Sequence, residues 1–217
     1  RNPRTARRAT ANGSLPPSVM IWVIVAGVSL LVVAAWELNP LCVKLLPLAV
    51  LGVLIYPLCK RFTWLVHFVL GAVDALAPLG AYIAVAGTIK LPGALLFVAV
   101  TVWVAGFDIL YALMDIEVDR AQSINSLPAR FGKRNGEVLA LLLHGLMIVT
   151  LLAAGVLANA TFPYYAGVLL AAGLLVYERR QMSVAKNLFV LNEHVFITNM
   201  AFSVAFMATT FAGFALR

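Results

Sequence analysis

The stretch that decides the fold is PGALLFVAVTVWVAGFDILYALMDIEVD, residues 92–119. Its first part is almost wholly apolar up to Met114, and Asp108 is the one charged residue within it. A helix of roughly 20 apolar residues is long enough to cross the hydrocarbon core of a bilayer. The stretch therefore predicts a membrane-spanning helix that ends where the carboxylates of Asp115, Glu117 and Asp119 begin.

The rest of the chain repeats this apolar pattern. Hydrophobic residues make up 63% of the sequence and charged residues 12%, whereas charged residues make up about a quarter of a soluble domain. We expect an all-α, polytopic membrane helical bundle that forms one domain over residues 1–217. Seven apolar stretches predict seven spanning helices, at about 18–36, 45–59, 66–87, 92–114, 137–157, 163–178 and 194–215.

The basic residues predict the orientation of this bundle. With seven spans, 13 of the 16 Lys and Arg residues fall on the side that holds Arg1, and cytoplasmic loops carry such an excess. We therefore expect Arg1 and the loop 115–136 in the cytoplasm of a bacterium or archaeon, with the bundle in its inner (plasma) membrane. The net charge of +7 then reflects membrane topology, and nucleic acid is excluded as a partner.

The carboxylates near the end of the 92–114 stretch follow a helical spacing. Asp108, Tyr111, Asp115 and Asp119 are separated by 3, 4 and 4 residues, which places them on one face if the helix continues past Asp115. Carboxylates without His or Cys suit a hard cation such as Mg²⁺, which bridges them to substrate phosphates. The alternative is a solvated loop, although Asp108 lies deep enough in the helix to require a polar cavity.

Asp74 and the histidines can be interpreted as either functional or structural residues. Asp74 lies within the third apolar stretch, where it either faces a cavity or forms a structural hydrogen bond with a neighbouring helix. The histidines, His67 among them, lie near predicted helix ends without metal-binding neighbours, which favours structural or interfacial roles.

Three segments together resemble the UbiA superfamily of intramembrane prenyltransferases. Residues 108–119, followed by SLPARFG at 126–132, are similar to its second aspartate-rich motif. NPRTARR at 2–8 resembles the stretch that follows its first aspartate-rich motif, and YPLCKR at 56–61 resembles its Tyr-Pro-x-x-Lys-Arg segment. The three matches occur in the order that the family has.

The resemblance implies a site and a reaction. It implies nine helices around a central cavity, with Mg²⁺ and an isoprenyl diphosphate held by two aspartate-rich motifs, and prenyl transfer to an aromatic acceptor such as 4-hydroxybenzoate in ubiquinone or menaquinone synthesis. By position, the metal ligands are Asp115 and Asp119, Asp108, Tyr56 and Lys60 join them as catalytic residues, and Arg4 and Arg8 contact the diphosphate. The charge and spacing of the residues add Lys60 and Arg61 as further diphosphate contacts, with Tyr111 and Asp74 as candidate cavity residues.

The resemblance also leaves alternatives open. We expect that two helices with the first aspartate-rich motif precede Arg1, so that this fragment by itself is inactive. Ser123 stands where the family usually has glycine. Other possibilities are prenyl transfer in haem O, chlorophyll or lipid synthesis, a homologue that has lost catalysis, and a transporter or channel with Asp74 and Asp108 in its path.

Overall fold

The computed structural model describes residues 9–10, 12–184 and 188–215, and it places side chains in these ranges except over 182–195. The predicted all-α architecture is confirmed, since the described part of the chain contains helices and no strands. In chain order the helices are α1 (Pro17–Leu38), α2 (Pro40–Cys59), α3 (Val66–Ala86), α4 (Leu91–Ala112), α5 (Ile116–Ala121), α6 (Leu127–Phe131), α7 (Lys133–Leu157), α8 (Phe162–Val184) and α9 (Leu188–Ala215).

Six helices in the described ranges are long and apolar enough to cross a membrane, one fewer than the sequence predicts. They are α1, α2, α3, α4 with its extension to Ala121, α7, and residues 196–215 of α9. The predicted span that does not qualify is α8, which is long enough but contains the polar run Glu178-Arg179-Arg180-Gln181 near its C-terminal end. This run lowers the mean hydropathy of a helix whose first 16 residues contain no charge.

The core of the bundle is formed around α4, which packs against α3 on one side and α7 on the other. Small residues such as Ala99 and Ala105 of α4 and Ala140 of α7 are almost completely buried there. Gly71 of α3 faces the backbone of Thr101 in α4 so closely that no side chain fits between them. Such small residues let helices approach each other in a membrane, where packing replaces the hydrophobic effect as the driving force.

The outer surface of the bundle is apolar. On α1, Trp22 and Leu30 are each more than two thirds exposed, and α2 has no buried residue. A water-soluble protein does not leave so much apolar helix surface open to solvent. These faces are suited to contact lipid, as the sequence predicts for an integral membrane protein.

The fourth helix does not run on regularly to Asp115, so the condition for one carboxylate face is not met. α4 ends at Ala112, a 3₁₀ turn covers Leu113–Asp115, and α5 begins at Ile116. A 3₁₀ turn has about 3.0 residues per turn instead of 3.6, so residues after it point in a different direction. Asp108 and Asp119 consequently belong to separate helical segments.

The close contact at Gly71 gives a stability test within α3. A Cβ added at Gly71 would overlap the Thr101 carbonyl oxygen, whereas one added at Gly80 would meet nothing within 4 Å. We expect Gly71→Ala to cost about 1–3 kcal/mol through overpacking, which lowers the apparent Tm in detergent by several degrees. The control Gly80→Ala should leave Tm unchanged or raise it, because alanine favours a helix. Equal Tm values for the two variants would contradict this packing.

Candidate active site

The connection between α4 and α7 is attached to the end of α2. The Asn125 backbone N–H donates to the Lys60 carbonyl at 2.8 Å, and the Asn125 side chain donates to the Arg61 carbonyl at 3.3 Å. Lys60 lies at the C-terminal end of α2, 65 residues before Asn125 in the sequence. These two hydrogen bonds bring the basic pair that the sequence predicted beside the acidic connection.

The short helix α6 is fixed at both ends. Ser126 is its N-cap, and the buried hydroxyl accepts a hydrogen bond from the Ala129 N–H at 3.4 Å. At its other end the Phe131 ring packs edge-to-face on Trp64, with the ring centroids 5.2 Å apart. The SLPARFG segment is thus held at both ends, and it packs against α5.

Asp119 is the most enclosed of the predicted site residues. It is 5% exposed, and among the described residues its Oδ2 atom has no hydrogen-bond partner. Its carboxyl lies within electrostatic range of Lys60, Asp115 and His67, and the nearby Ser126 hydroxyl favours its charged form. A buried carboxylate oxygen without a partner is costly, and a bound cation would supply the missing interaction.

Asp108 is held by a histidine that sequence reasoning did not assign to the site. Asp108 Oδ2 lies 2.6 Å from His67 Nδ1, and the Leu127 backbone N–H donates to His67 Nε2 at 3.2 Å. The sequence does show that His67 is an ionisable residue at the start of the helix before the one that holds Asp108, at the same end of the bundle. It does not show the packing that brings His67 to Asp108, 41 residues later, and to Leu127, 60 residues later.

Asp74 lies on the same face of α3 as His67, two helical turns further along. Its side chain is exposed, and its charge interacts unfavourably with that of Asp108. The two carboxyls therefore lie in one region of the bundle. This agrees with the interpretation that Asp74 faces a cavity, which remains a prediction.

The remaining predicted residues divide into two groups. Tyr56 and Lys60 of the α2 end and Tyr111 of α4 are partly buried, while Arg61 is exposed. The Tyr111 ring packs on Phe107, with centroids 5.6 Å apart. Arg4 and Arg8 lie outside the described residues.

The residues present fit part of a Mg²⁺ site. No group of three His, Cys, Asp or Glu side chains converges on one point within the described ranges. Mg²⁺, however, takes one or two protein carboxylates and completes its octahedron with water and substrate phosphate. Asp115 together with the unpaired Oδ2 of Asp119 supplies oxygen donors of this kind.

Fold and site define a polytopic helical membrane protein with a carboxylate site at one end of its bundle. The UbiA prenyltransferase family model matches residues 1–200, and the chain belongs to this family. Its structure is similar to the apo structure of a UbiA homolog from Aeropyrum pernix K1, with a TM-score of 0.81 and 28% sequence identity. That similarity covers 95% of this chain and 78% of the other.

Relatives of similar sequence carry a more specific name. The chain is 36% identical over 177 residues to a 4-hydroxybenzoate octaprenyltransferase of Tolumonas auensis and 30% identical over 177 residues to one of Escherichia fergusonii. These alignments cover 81% and 82% of this chain. The chain spans 61% of the length of both relatives.

Ser123 gives a prediction about the connection itself. Its φ of 53° is left-handed, a conformation that costs a residue with a side chain roughly 1 kcal/mol and glycine almost nothing. We expect Ser123→Gly to raise the apparent Tm by a few degrees. The same change at Ser203, within α9, should lower it, because glycine disfavours a helix interior. A lower Tm for Ser123→Gly would show that the left-handed turn carries no strain.

Proposed function

We propose that the protein transfers a polyprenyl group from an isoprenyl diphosphate to an aromatic acceptor, with Mg²⁺, at the connection between α4 and α7. The observation that carries this proposal is the buried Asp119 carboxylate, one oxygen of which has no hydrogen-bond partner among the described residues, and which lies beside Lys60 and Asp115. An arrangement of two carboxylates and an ammonium group suits a metal-bound diphosphate. Membership of the family favours group transfer over a cation path through Asp74 and Asp108.

The charged residues bind the diphosphate. Asp115 and Asp119 would hold Mg²⁺, which neutralises the charge that develops on the diphosphate as the allylic C–O bond breaks. Lys60 donates charge-assisted hydrogen bonds to phosphate oxygens, and Tyr56 lies one turn earlier on the same face of α2. Arg4, Arg8 and Arg61 are proposed as further phosphate contacts.

The apolar helices protect the prenyl group after the bond breaks. The walls of the bundle exclude water that would capture an allylic cation. Tyr111 lies one turn beyond Asp108 on α4 and presents an aromatic ring, whose π face attracts a cation. The electron-rich acceptor ring then attacks the cation, loses a proton and becomes aromatic again.

The acceptor we propose is an aromatic acid of the 4-hydroxybenzoate type, used in quinone synthesis. The support is the name of the relatives that are 30–36% identical and the resemblance of residues 2–8 and 126–132 to that branch. The basic residues support placing the diphosphate site on the cytoplasmic side of the membrane. There, Mg²⁺ and an acidic, water-soluble acceptor have access to it.

Removing the metal-binding carboxylates should abolish the reaction. We expect Asp115→Asn with Asp119→Asn, made in the complete reading frame, to lower Mg²⁺-dependent diphosphate release about 100-fold or more, as for loss of other main electrostatic groups. Glu117→Gln is the matched control, since Glu117 is exposed in the same segment, and it should retain activity. The measurement is diphosphate release from an allylic donor with 4-hydroxybenzoate in inside-out vesicles.

Two outcomes would contradict this proposal. Full activity in the double variant would show that Asp115 and Asp119 are not part of the site. Diphosphate release by sealed right-side-out vesicles but not by inside-out vesicles would show that the predicted orientation is wrong.

Lys60 should act on substrate binding. Loss of a hydrogen bond to a charged group costs about 1.5–3 kcal/mol, so we expect Lys60→Met to raise KM for the allylic diphosphate about tenfold or more. The control is Lys133→Met, because Lys133 is 71% exposed and its nearest acid is Glu137. An unchanged KM in Lys60→Met would show that Lys60 does not bind the diphosphate.

A further inference from the structure

We infer that His67 is a positioning residue that couples the cavity acid Asp108 to the segment bearing Asp119. The inference rests on the proposed function, because it concerns how the same site is assembled. His67 is completely buried at the start of α3. It contacts α4 through Asp108 and α6 through Leu127, so one side chain joins three helices.

The two hydrogen bonds define the tautomer of the imidazole. The Leu127 partner is a backbone N–H, which can only donate, so Nε2 of His67 must be the acceptor. Nδ1 therefore carries the proton, and this N–H donates a hydrogen bond to Asp108 Oδ2 at 2.6 Å. The ring is neutral and fully satisfied, and one oxygen of Asp108 is fixed by this bond.

The Leu127 end of this link leads to the proposed metal site. Leu127 is the first residue of α6, and its N–H is one of the amide groups that a helix N-terminus leaves without a helical partner. The preceding residue, Ser126, is completely buried, and its hydroxyl lies near the Asp119 carboxyl. Two residues earlier, the Ile124 N–H donates to the Asp119 carbonyl at 2.8 Å. The link from Asp108 through His67 to Leu127 therefore holds the segment that adjoins Asp119.

Loss of the imidazole would affect both ends of this set. Asp108 would lose the donor that orients its carboxyl group, and the Leu127 N–H would be left unsatisfied in a buried position. The connection would then be free to shift away from α3, and Asp119 with it. A metal and diphosphate site depends on such positioning to within about half an ångström.

Three variants in the complete reading frame separate this role from general stabilisation. His67→Leu removes both hydrogen bonds, while His67→Gln retains one donor and one acceptor. The control Thr150→Val removes a buried hydroxyl whose hydrogen bonds stay within α7, to the carbonyls of Leu146 and Met147. Each variant is measured for kcat and KM, and for amide hydrogen exchange of residues 122–131 in detergent without Mg²⁺.

We expect His67→Leu to lower kcat about tenfold or more, as for loss of a hydrogen bond to a charged group, with a smaller change in KM. Exchange of the Leu127 amide should accelerate at least tenfold. His67→Gln should recover most of both, and Thr150→Val should match wild type. In a double-mutant cycle on kcat, His67→Leu should add little to the loss caused by Asp108→Ala, because both break the same link.

The contrary results are distinct. Wild-type activity in His67→Leu, or additive losses in the cycle, would overturn the positioning role while leaving the proposed function intact. Failure of the wild-type protein to release diphosphate would overturn the proposed function, whereas the exchange measurement would still test the link. If His67→Leu does not accumulate in the membrane, Asp108→Ala tests the link between Asp108 and Leu127 with His67 in place. Unchanged hydrogen exchange of the Leu127 amide in this variant refutes the coupling, and faster exchange supports it.

Discussion

The site depends on the hydrogen bonds that attach the connection after α4 to the ends of α2 and α3. Asn125 fastens it to the Lys60 and Arg61 carbonyls, and His67 fastens it to Leu127. Without them, Asp119 and Lys60 would belong to two separate polar loops at the surface of the bundle. With them, a carboxylate and an ammonium group lie together in a partly dry environment, where electrostatic interactions are stronger than in water.

The membrane explains why the carboxylates of the candidate site are concentrated at one end of the bundle. Charge is expensive within the hydrocarbon layer unless it is paired or faces a polar cavity. Asp108 satisfies this rule through His67, and Asp115 and Asp119 satisfy it by lying beyond the last turn of α4. The rest of the bundle serves a different purpose. The apolar surfaces of α1 and α2 face lipid, and the tight packing of α3, α4 and α7 holds the ends of α2, α3 and α4 close together.

The sequence predicted the helices well, because they depend on a local pattern of apolar residues. Apolar length located the ends of the long helices to within six residues, and the spacing of Asp108, Asp115 and Asp119 marked the segment that the structure brings to Lys60. The 3₁₀ turn at Leu113–Asp115 was not predictable in this way, since no proline or glycine marks it. Nor was the role of His67, because both partners of its ring come from other helices and only packing brings them together.

The most direct test of the central claim is a structure of the complete protein with Mg²⁺ and an unreactive allylic thiolodiphosphate. We expect Mg²⁺ to lie between the diphosphate and the carboxylates of Asp115 and Asp119, with the Lys60 ammonium group at hydrogen-bond distance from a phosphate oxygen. Diphosphate bound elsewhere in the bundle, without contact to Lys60 or to the connection between α4 and α7, would contradict it.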